Sequence, residues 1–140
     1  MEGFSTLCEA SHNVGKTTST VNLGAGLSDC GKKVLMIDFD PQASLTLSMG
    51  YREPDKPPVT VTNVIDQIVN DKGMDPEFGI LHIKDKLDLL PASIDLSAAE
   101  VSLVSAMSRE LVLRSYMEHV RANYDYVLID CIFHFMKKMF

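Results

Sequence analysis

The sequence predicts an α/β fold in which a mainly parallel sheet is flanked by helices. Two short apolar runs, residues 34–37 and 126–130, have the composition of strands that are buried on both faces. Helical stretches lie between the expected strands, and such alternation is typical of layered α/β proteins. With 140 residues, 46% of them hydrophobic, the chain has the size and composition of one domain.

The first part of the chain places a polar loop between a strand and a helix. The elements expected here are a weak strand over residues 4–10, a helix over Lys16–Asp29, the strand over 34–37, a turn over 38–42 marked by Pro41, and a short helix over 44–49. Gly31 follows the first helix at the place where a left-handed cap is favoured, which supports that helix end.

The rest of the chain continues the alternation after a proline-rich loop at 52–58. We expect a helix capped by Thr62 or Asn63 that runs to about residue 70, a loop over 71–79, strands over 80–83 and 87–90, a helical pattern from Asp95 or Ser97 to about residue 122 with a break near Ser108, and the strand over 126–130. This last strand ends in a carboxylate, Asp130.

Composition and charge exclude several classes of protein. The 13 basic and 19 acidic residues give a net charge of -6, which argues against a general nucleic-acid coat protein. No apolar stretch approaches the roughly 18 to 20 residues that span a bilayer, and the N-terminus lacks the pattern of a secretory signal. The three cysteines are far apart and show no metal spacing, so we expect free thiols in a reducing cytoplasm.

The polar loop before the first helix has the spacing of a phosphate-binding loop. Residues 10–17 read ASHNVGKT, with Ala10 in place of the usual first glycine. Backbone N–H groups at a helix N-terminus offer hydrogen-bond donors and the positive end of the dipole to phosphate oxygens. Gly15 permits close approach, Lys16 would reach the β- and γ-phosphates, and the Thr17 hydroxyl would bind Mg²⁺. The alternative is a glycine turn that caps an ordinary helix.

Several segments together resemble one family. Residues 14–24, VGKTTSTVNLG, resemble the first loop and helix of ParA/Soj-type partition ATPases, which belong to the ParA/MinD superfamily of P-loop NTPases. Residues 38–42 (DFDPQ), 89–93 (LLPAS) and 124–131 (YDYVLIDC) match further family segments in the same order. The resemblance spans residues 14–131, so we expect a single, partial P-loop nucleotide-binding domain over residues 1–140, with 132–140 as an aberrant tail.

The resemblance implies a bacterial, cytoplasmic ATPase. Members of this family bind ATP with Mg²⁺, form a homodimer that encloses two nucleotides, and hydrolyse ATP slowly. Their partners are a ParB-like protein and non-specific DNA on the nucleoid. The resemblance does not predict a membrane partner.

The same resemblance assigns roles to individual residues. The positions expected to bind the nucleotide are Asn13, Val14, Gly15, Lys16, Thr17 and Thr18. Asp40 would orient or activate the attacking water, with Lys16 as the second catalytic residue. Thr17, Asp38 and Asp130 would support the magnesium ion. Phosphoryl transfer needs mainly positioning and charge neutralisation, which these groups can supply. For Asp38 and Asp40, the alternative is a pair of turn carboxylates at a strand end.

The loop departs from the family pattern at its start. Ser11, His12 and Asn13 stand where the family has Lys-Gly-Gly. The missing lysine is the one that reaches the nucleotide of the partner subunit, so we expect weaker pairing. The His12 side chain would project near the dimer contact, and the other histidines do not lie at a spacing that would make His12 a metal ligand.

The end of the chain also departs from the family. Residues 132–140 replace a proline-containing second switch, and the family continues beyond it with base-contacting residues and a DNA-binding surface. We therefore expect a truncated or frame-shifted copy. Three hypotheses follow: an active ATPase, a non-catalytic remnant that binds nucleotide weakly or interferes with intact paralogues, and a MinD-like membrane-cycling ATPase in which the tail around Lys137 and Lys138 touches lipid.

Overall fold

The computed structural model describes residues 4–7, 15–51, 57–93, 95–96 and 109–131, without the side chains of 4–7, 109–110 and 131. The described strands are β1 (Phe4–Leu7), β2 (Val34–Phe39), β3 (Leu81–Lys84), β4 (Leu87–Leu90) and β5 (Tyr126–Cys131). The described helices are α1 (Lys16–Asp29), α2 (Ser44–Ser48), α3 (Val61–Val69), α4 (Arg109–Val120) and a 3₁₀ turn at Arg121–Asn123.

The strands form one sheet in the order β1-β5-β2-β4-β3. The pairs β1–β5, β5–β2 and β2–β4 are parallel, and β3 adds to β4 in the antiparallel direction. The predicted fold class, a mainly parallel sheet flanked by helices, is confirmed. In the central pair, Asp38 of β2 lies opposite Asp130 of β5, so both carboxylates reach the same end of the sheet.

Both faces of the sheet are covered, which explains the uninterrupted apolar runs. Alternate β2 residues point to opposite faces: Leu35, Ile37 and Phe39 belong to a core that includes α3 and α4 residues. Val34 and Met36 belong to a second core with Leu45 of α2, against which α1 side chains pack. Asp38 has the parity of the second face, so its side chain points toward α1 and α2.

The boundaries of α1 agree with the predicted helix over Lys16–Asp29. Gly31 has φ 85° and its N–H donates to the Ser28 carbonyl, as expected for a left-handed residue just past a helix. Cys30 beside it is an exposed free thiol. None of the helices in the described part of the chain is long and apolar enough to cross a membrane.

Two predicted boundaries were wrong. The β2 strand continues to Phe39, so Asp38 lies inside the strand rather than in the following turn. The α3 helix begins at Val61 with Thr60 as its N-cap, and neither Thr62 nor Asn63 caps it. Instead, the Asn63 side chain accepts a hydrogen bond from the Thr60 N–H at 2.9 Å.

Other boundaries differ by a residue or two. β3 begins at Leu81, one residue later than predicted, α2 ends at Ser48, and α4 ends at Val120. In the first predicted strand, β1 accounts for Phe4–Leu7, and residues 8–10 lie outside the described residues. The predicted cap at Ser97 and break near Ser108 lie outside them too.

Candidate nucleotide site

The start of α1 is shaped by Gly15. This residue is the N-cap, with φ 86°, a left-handed conformation that favours glycine. It provides no side-chain cap, and the N–H groups of a first helical turn have no carbonyl partner within their own helix. A phosphate is the usual anion at such a position. Of the other predicted loop residues, Ser11, His12, Asn13 and Val14 lie outside the described residues.

Lys16 brings two predicted carboxylates together. Its side chain is buried, and its Nζ atom lies 3.2 Å from Asp40 Oδ2 and 3.2 Å from Asp130 Oδ1. These residues come from the start of α1, the turn after β2 and the end of β5. The parallel register makes this possible, because it carries the ends of β2 and β5 to the N-terminus of α1.

Two threonines that follow Lys16 in α1 make hydrogen bonds of different kinds, one to a carboxylate and one to the helix backbone. The Thr17 hydroxyl donates to Asp130 Oδ2 at 2.9 Å, so Asp130 is held by two successive residues of α1. Thr18 is exposed at the same helix end. The buried Thr20 hydroxyl donates to the Lys16 carbonyl at 3.0 Å and contacts the helix backbone.

Asp40 is fixed by the turn that follows β2. Its Oδ1 atom accepts the Gln42 N–H at 3.0 Å, while its backbone carbonyl accepts the Ala43 N–H at 2.9 Å. Ala43 has φ 54°, an unusual conformation for a residue with a Cβ. The turn therefore directs Oδ2 of Asp40 toward Lys16 and leaves Oδ1 on the backbone.

Asp38 is held differently, by a residue that the sequence did not single out. Its Oδ2 atom accepts two hydrogen bonds from Thr46 of α2, from the backbone N–H at 2.9 Å and from the hydroxyl at 2.7 Å. Within the described residues, its Oδ1 atom is buried and has no hydrogen-bond partner. Only a signal for long-range contact, which one sequence lacks, would have identified Thr46.

Burial changes the acidity of two of these carboxyl groups. Desolvation, together with the nearby Asp130 and Asp40, raises the pKa of Asp38 to about 7, against the opposing effect of the hydrogen bonds from Thr46. Desolvation also raises the pKa of Asp130, while the Lys16 charge acts in the opposite direction. A cation at this end of the sheet would relieve the cost of ionising both groups.

These groups fit a magnesium ion that is bound together with a phosphate. Asp38 Oδ1 is a buried oxygen with no hydrogen-bond partner among the described residues, and the buried Asp130 Oδ1 is paired with the Lys16 ammonium group at 3.2 Å. Among those residues, no group of three or more His, Cys, Asp or Glu side chains could hold a metal ion by itself. Mg²⁺ commonly takes one or two protein oxygens and completes its shell with water and phosphate, which suits this arrangement.

The chain is similar to known proteins in both sequence and structure. Residues 8–134 match a family model described as an AAA domain, AAA_31. The sporulation initiation inhibitor protein Soj of Bacillus subtilis is 43% identical over 122 residues, which cover 84% of this chain and 45% of Soj. A plasmid partition protein from Borrelia burgdorferi matches in structure with a TM-score of 0.75 and 28% identity, over 94% of this chain and 57% of that one.

A third relative was crystallised with a nucleotide. Cobyrinic acid a,c-diamide synthase from Mycobacterium smegmatis, with bound ADP and magnesium, superimposes with a TM-score of 0.80 and 34% identity, over 94% of this chain and 51% of the enzyme. This chain spans 38% to 45% of the length of eight curated relatives that it matches in sequence.

The fold, with α1 starting at the carboxyl ends of the central parallel strands, is that of the P-loop NTPases. Within that class, the chain belongs to the AAA domain family of ParA/Soj-type partition ATPases. The resemblance predicted from residues 14–131 is thereby confirmed.

Proposed function

We propose that this chain binds ATP with Mg²⁺ at the N-terminus of α1 and supports slow hydrolysis of the γ-phosphate. The observation that carries the proposal is the position of Lys16, buried between Asp40 and Asp130 at the start of a helix with a glycine N-cap. Nucleotide and magnesium in the M. smegmatis enzyme, which shares the fold, support the same ligands here.

Nucleotide binding would redistribute the contacts of Lys16. Lys16 is the first residue of α1, so its ammonium group would move from the carboxylates to a phosphate bound at this helix end. Gly15, Thr17 and Thr18 would offer backbone N–H groups to the same phosphate, as would Asn13 and Val14 from the preceding loop. The helix dipole adds to the attraction of the lysine for an anion.

The carboxylates would then act on the metal and the water. Bound Mg²⁺ would neutralise charge that develops on the phosphate oxygens. Thr17 and Asp130 would hold it, with Asp38 supporting its water shell. Asp40, freed from Lys16 on one oxygen, would orient or activate the attacking water, since the Gln42 N–H keeps its other oxygen in place.

Thermal unfolding with and without Mg-ATP tests the proposal. A ligand that binds only the folded state stabilises it by about 2.7 kcal/mol at a hundredfold excess over Kd, so we expect an upward shift in Tm. The shift should disappear in Lys16→Ala, measured against that variant's own nucleotide-free baseline, and persist in Lys72→Ala, which changes an exposed lysine. A cooperative transition that ATP does not move in the unaltered chain would overturn the proposal.

A second candidate is nucleotide binding without turnover. The sequence observation that favours it is the replacement of the family's leading lysine by Ser11, with His12 beside it. Phosphate release under single-turnover conditions separates the two candidates: hydrolysis that falls in Asp40→Asn supports the ATPase. A Tm shift with no phosphate release supports binding alone.

For the biological role, we infer participation in the segregation of chromosome or plasmid DNA. The supporting relatives are named for chromosome partitioning or plasmid partition. On this inference, nucleotide would control homodimerisation, which the changes at Ser11 and His12 would weaken, in a bacterial cytoplasm with a ParB-like protein and nucleoid DNA as partners. Sedimentation of the chain with and without Mg-ATP, alone and mixed with an intact relative, tests for pairing.

A further inference from the structure

Thr46 connects three segments of the chain around the candidate site. It is buried in the first turn of α2, and its backbone N–H and hydroxyl both donate to Asp38 Oδ2. Its hydroxyl oxygen also accepts the Ala92 N–H at 3.0 Å. The end of β2, the start of α2 and the segment after β4 therefore meet at one hydroxyl group.

The hydrogen bonds of Thr46 determine which oxygen of Asp38 remains available. Because Oδ2 accepts both donors, the carboxyl group is fixed with Oδ1 as its unpartnered atom among the described residues. Asp38 and Asp130 are register partners on adjacent parallel strands, so this orientation keeps the Asp38 carboxyl group beside Asp130. A carboxyl group without these bonds could rotate about its terminal torsion, which is broad for aspartate.

We infer that Thr46 is a positioning residue, which acts through Asp38 to set the affinity of the site for Mg²⁺ in the presence of nucleotide. This inference rests on the proposed function. Residues that orient a metal-supporting carboxylate typically change metal affinity by about 10- to 100-fold when they are altered. The Thr46 hydroxyl group donates to Asp38 and accepts from the Ala92 N–H. The segment after β4 therefore helps to orient the hydroxyl group that holds Asp38.

The test compares Thr46→Val with Thr46→Ser. Valine keeps the shape and the backbone N–H but removes the hydroxyl group, while serine keeps the hydroxyl group and removes only a methyl group. With a fluorescent ATP analogue at fixed concentration, the Mg²⁺ concentration for half-maximal binding should rise about tenfold in Thr46→Val and stay within about twofold of the unaltered chain in Thr46→Ser. Binding of the analogue in EDTA should be the same in all three.

The matched control is Ser48→Ala. Ser48 also lies in α2, and its hydroxyl donates to the Ser44 carbonyl on an exposed surface, away from Asp38. Its loss should leave the Mg²⁺ midpoint unchanged. Equal midpoints for Thr46→Val and the unaltered chain would overturn the inference, while absence of analogue binding in the unaltered chain would instead overturn the proposed function.

A measurement on the unaltered chain keeps the inference testable if Thr46→Val does not fold. The backbone amide resonances of Thr46 and Ala92 should move when Mg²⁺ is added to the nucleotide-bound protein, since both N–H groups contact the Asp38–Thr46 unit. The amide of Asn70, which bonds within α3, should stay in place. Static Thr46 and Ala92 resonances during a titration that saturates the site would also overturn the inference.

Discussion

Asp38 and Asp130 lie side by side at the ends of β2 and β5, but they are held by different elements. Asp130 contacts Lys16 and Thr17 of α1, whereas Asp38 accepts both of its hydrogen bonds from Thr46 of α2. Two neighbouring carboxyl groups are thus held by two different helices. The differences in their partners make it possible to separate their contributions to stability and to ligand binding.

Asp38 should make the stability of the folded chain fall as pH rises. Burial raises its pKa from 3.8 to about 7, so the folded state binds the proton more tightly than the unfolded state does. The favourable contribution of the protonated group is complete below the unfolded pKa and is lost as pH rises through about 7. Above that pH the ionised, buried carboxylate destabilises the fold.

We therefore expect Asp38→Asn to unfold at higher urea concentration than the unaltered chain at about pH 8, with a gain of up to about 4 kcal/mol, and to differ little at about pH 4. Urea titrations at both pH values in the absence of magnesium measure this. The exposed Asp66→Asn serves as the control. A pH profile for Asp38→Asn parallel to that of the unaltered chain would contradict the expectation.

Loss of the Lys16 charge should destabilise the folded chain, and by more at high pH than at low pH. The ammonium group compensates Asp40 and Asp130, and removal of one partner from a buried ion pair costs about 3 to 5 kcal/mol. Lys16→Met should therefore be destabilised most at about pH 8 and less at about pH 5, because burial raises the pKa of Asp130 and so eases its protonation.

Equilibrium unfolding of Lys16→Met at these two pH values measures the effect. Lys72→Met is the matched control, since Lys72 pairs with Asp66 on an exposed surface where an ion pair contributes at most about 1 kcal/mol. Adding Asp130→Asn to Lys16→Met should recover part of the loss. No recovery in the double variant would indicate that Lys16 acts mainly through its packing.

The sequence predicts the helix and strand ends that form the site better than it predicts the side-chain contacts that support them. Both ends of α1 are predictable because Gly15 and Gly31 take left-handed conformations there, and because a helix start after a strand has a recognisable local pattern. The placement of Asp130 also follows from local sequence, since it comes directly after an apolar run, one residue before the end of β5. These signals depend on neighbours within a few residues.

The contacts of Thr46 are not predictable in this way. Its partner Asp38 is eight residues away across a turn, and Ala92 is 46 residues away, on a segment that β4 brings alongside β2. A threonine in a short helix has the same local pattern whether or not it meets a carboxylate. The start of α3 was missed for a related reason, because Thr60, Thr62 and Asn63 all have the chemistry of a cap.

The contribution of Asn63 to the cap of α3 can be measured by substitution. Asn63 accepts the Thr60 N–H, so Asn63→Ala should lower the free energy of unfolding by about 1 kcal/mol. Asn63→Asp, which keeps the acceptor, should lower it much less. Thr62→Ala should cost little, because the Thr62 hydroxyl has no hydrogen-bond partner among the described residues. Urea unfolding of the three variants measures these effects, and a larger loss for Thr62→Ala than for Asn63→Ala would favour Thr62, one of the two caps predicted from the sequence, over the contact between Asn63 and Thr60.

Two glycines of α1 should respond to alanine in opposite directions. In an exposed helix interior, Gly to Ala stabilises by up to about 1 kcal/mol, because glycine has greater freedom in the unfolded chain. Gly26 meets this condition, since no described atom lies within 4 Å of the position of an added Cβ. At Gly24 the Cβ would lie 2.9 Å from Sδ of Met36 and 3.3 Å from Cδ1 of Leu87, in the core beneath the helix. Met36 is fully buried and has little room to move, so the added methyl group would overpack the core. This cost should exceed the gain in helix propensity, and Gly24→Ala should lower the free energy of unfolding by about 1 kcal/mol.

The difference between the two variants is the quantity to measure, because both change the same residue type in the same helix and share its intrinsic propensity. Thermal or urea unfolding should rank Gly26→Ala above the unaltered chain and Gly24→Ala below it. Gly24→Ala should lower the free energy of unfolding less in a Met36→Ala background than in the unaltered chain, because that background lacks the sulfur that the Gly24 Cβ would meet. Equal stabilities for the two alanine variants would contradict the 2.9 Å distance between an added Cβ at Gly24 and Sδ of Met36, and with it this close approach of α1 to β2.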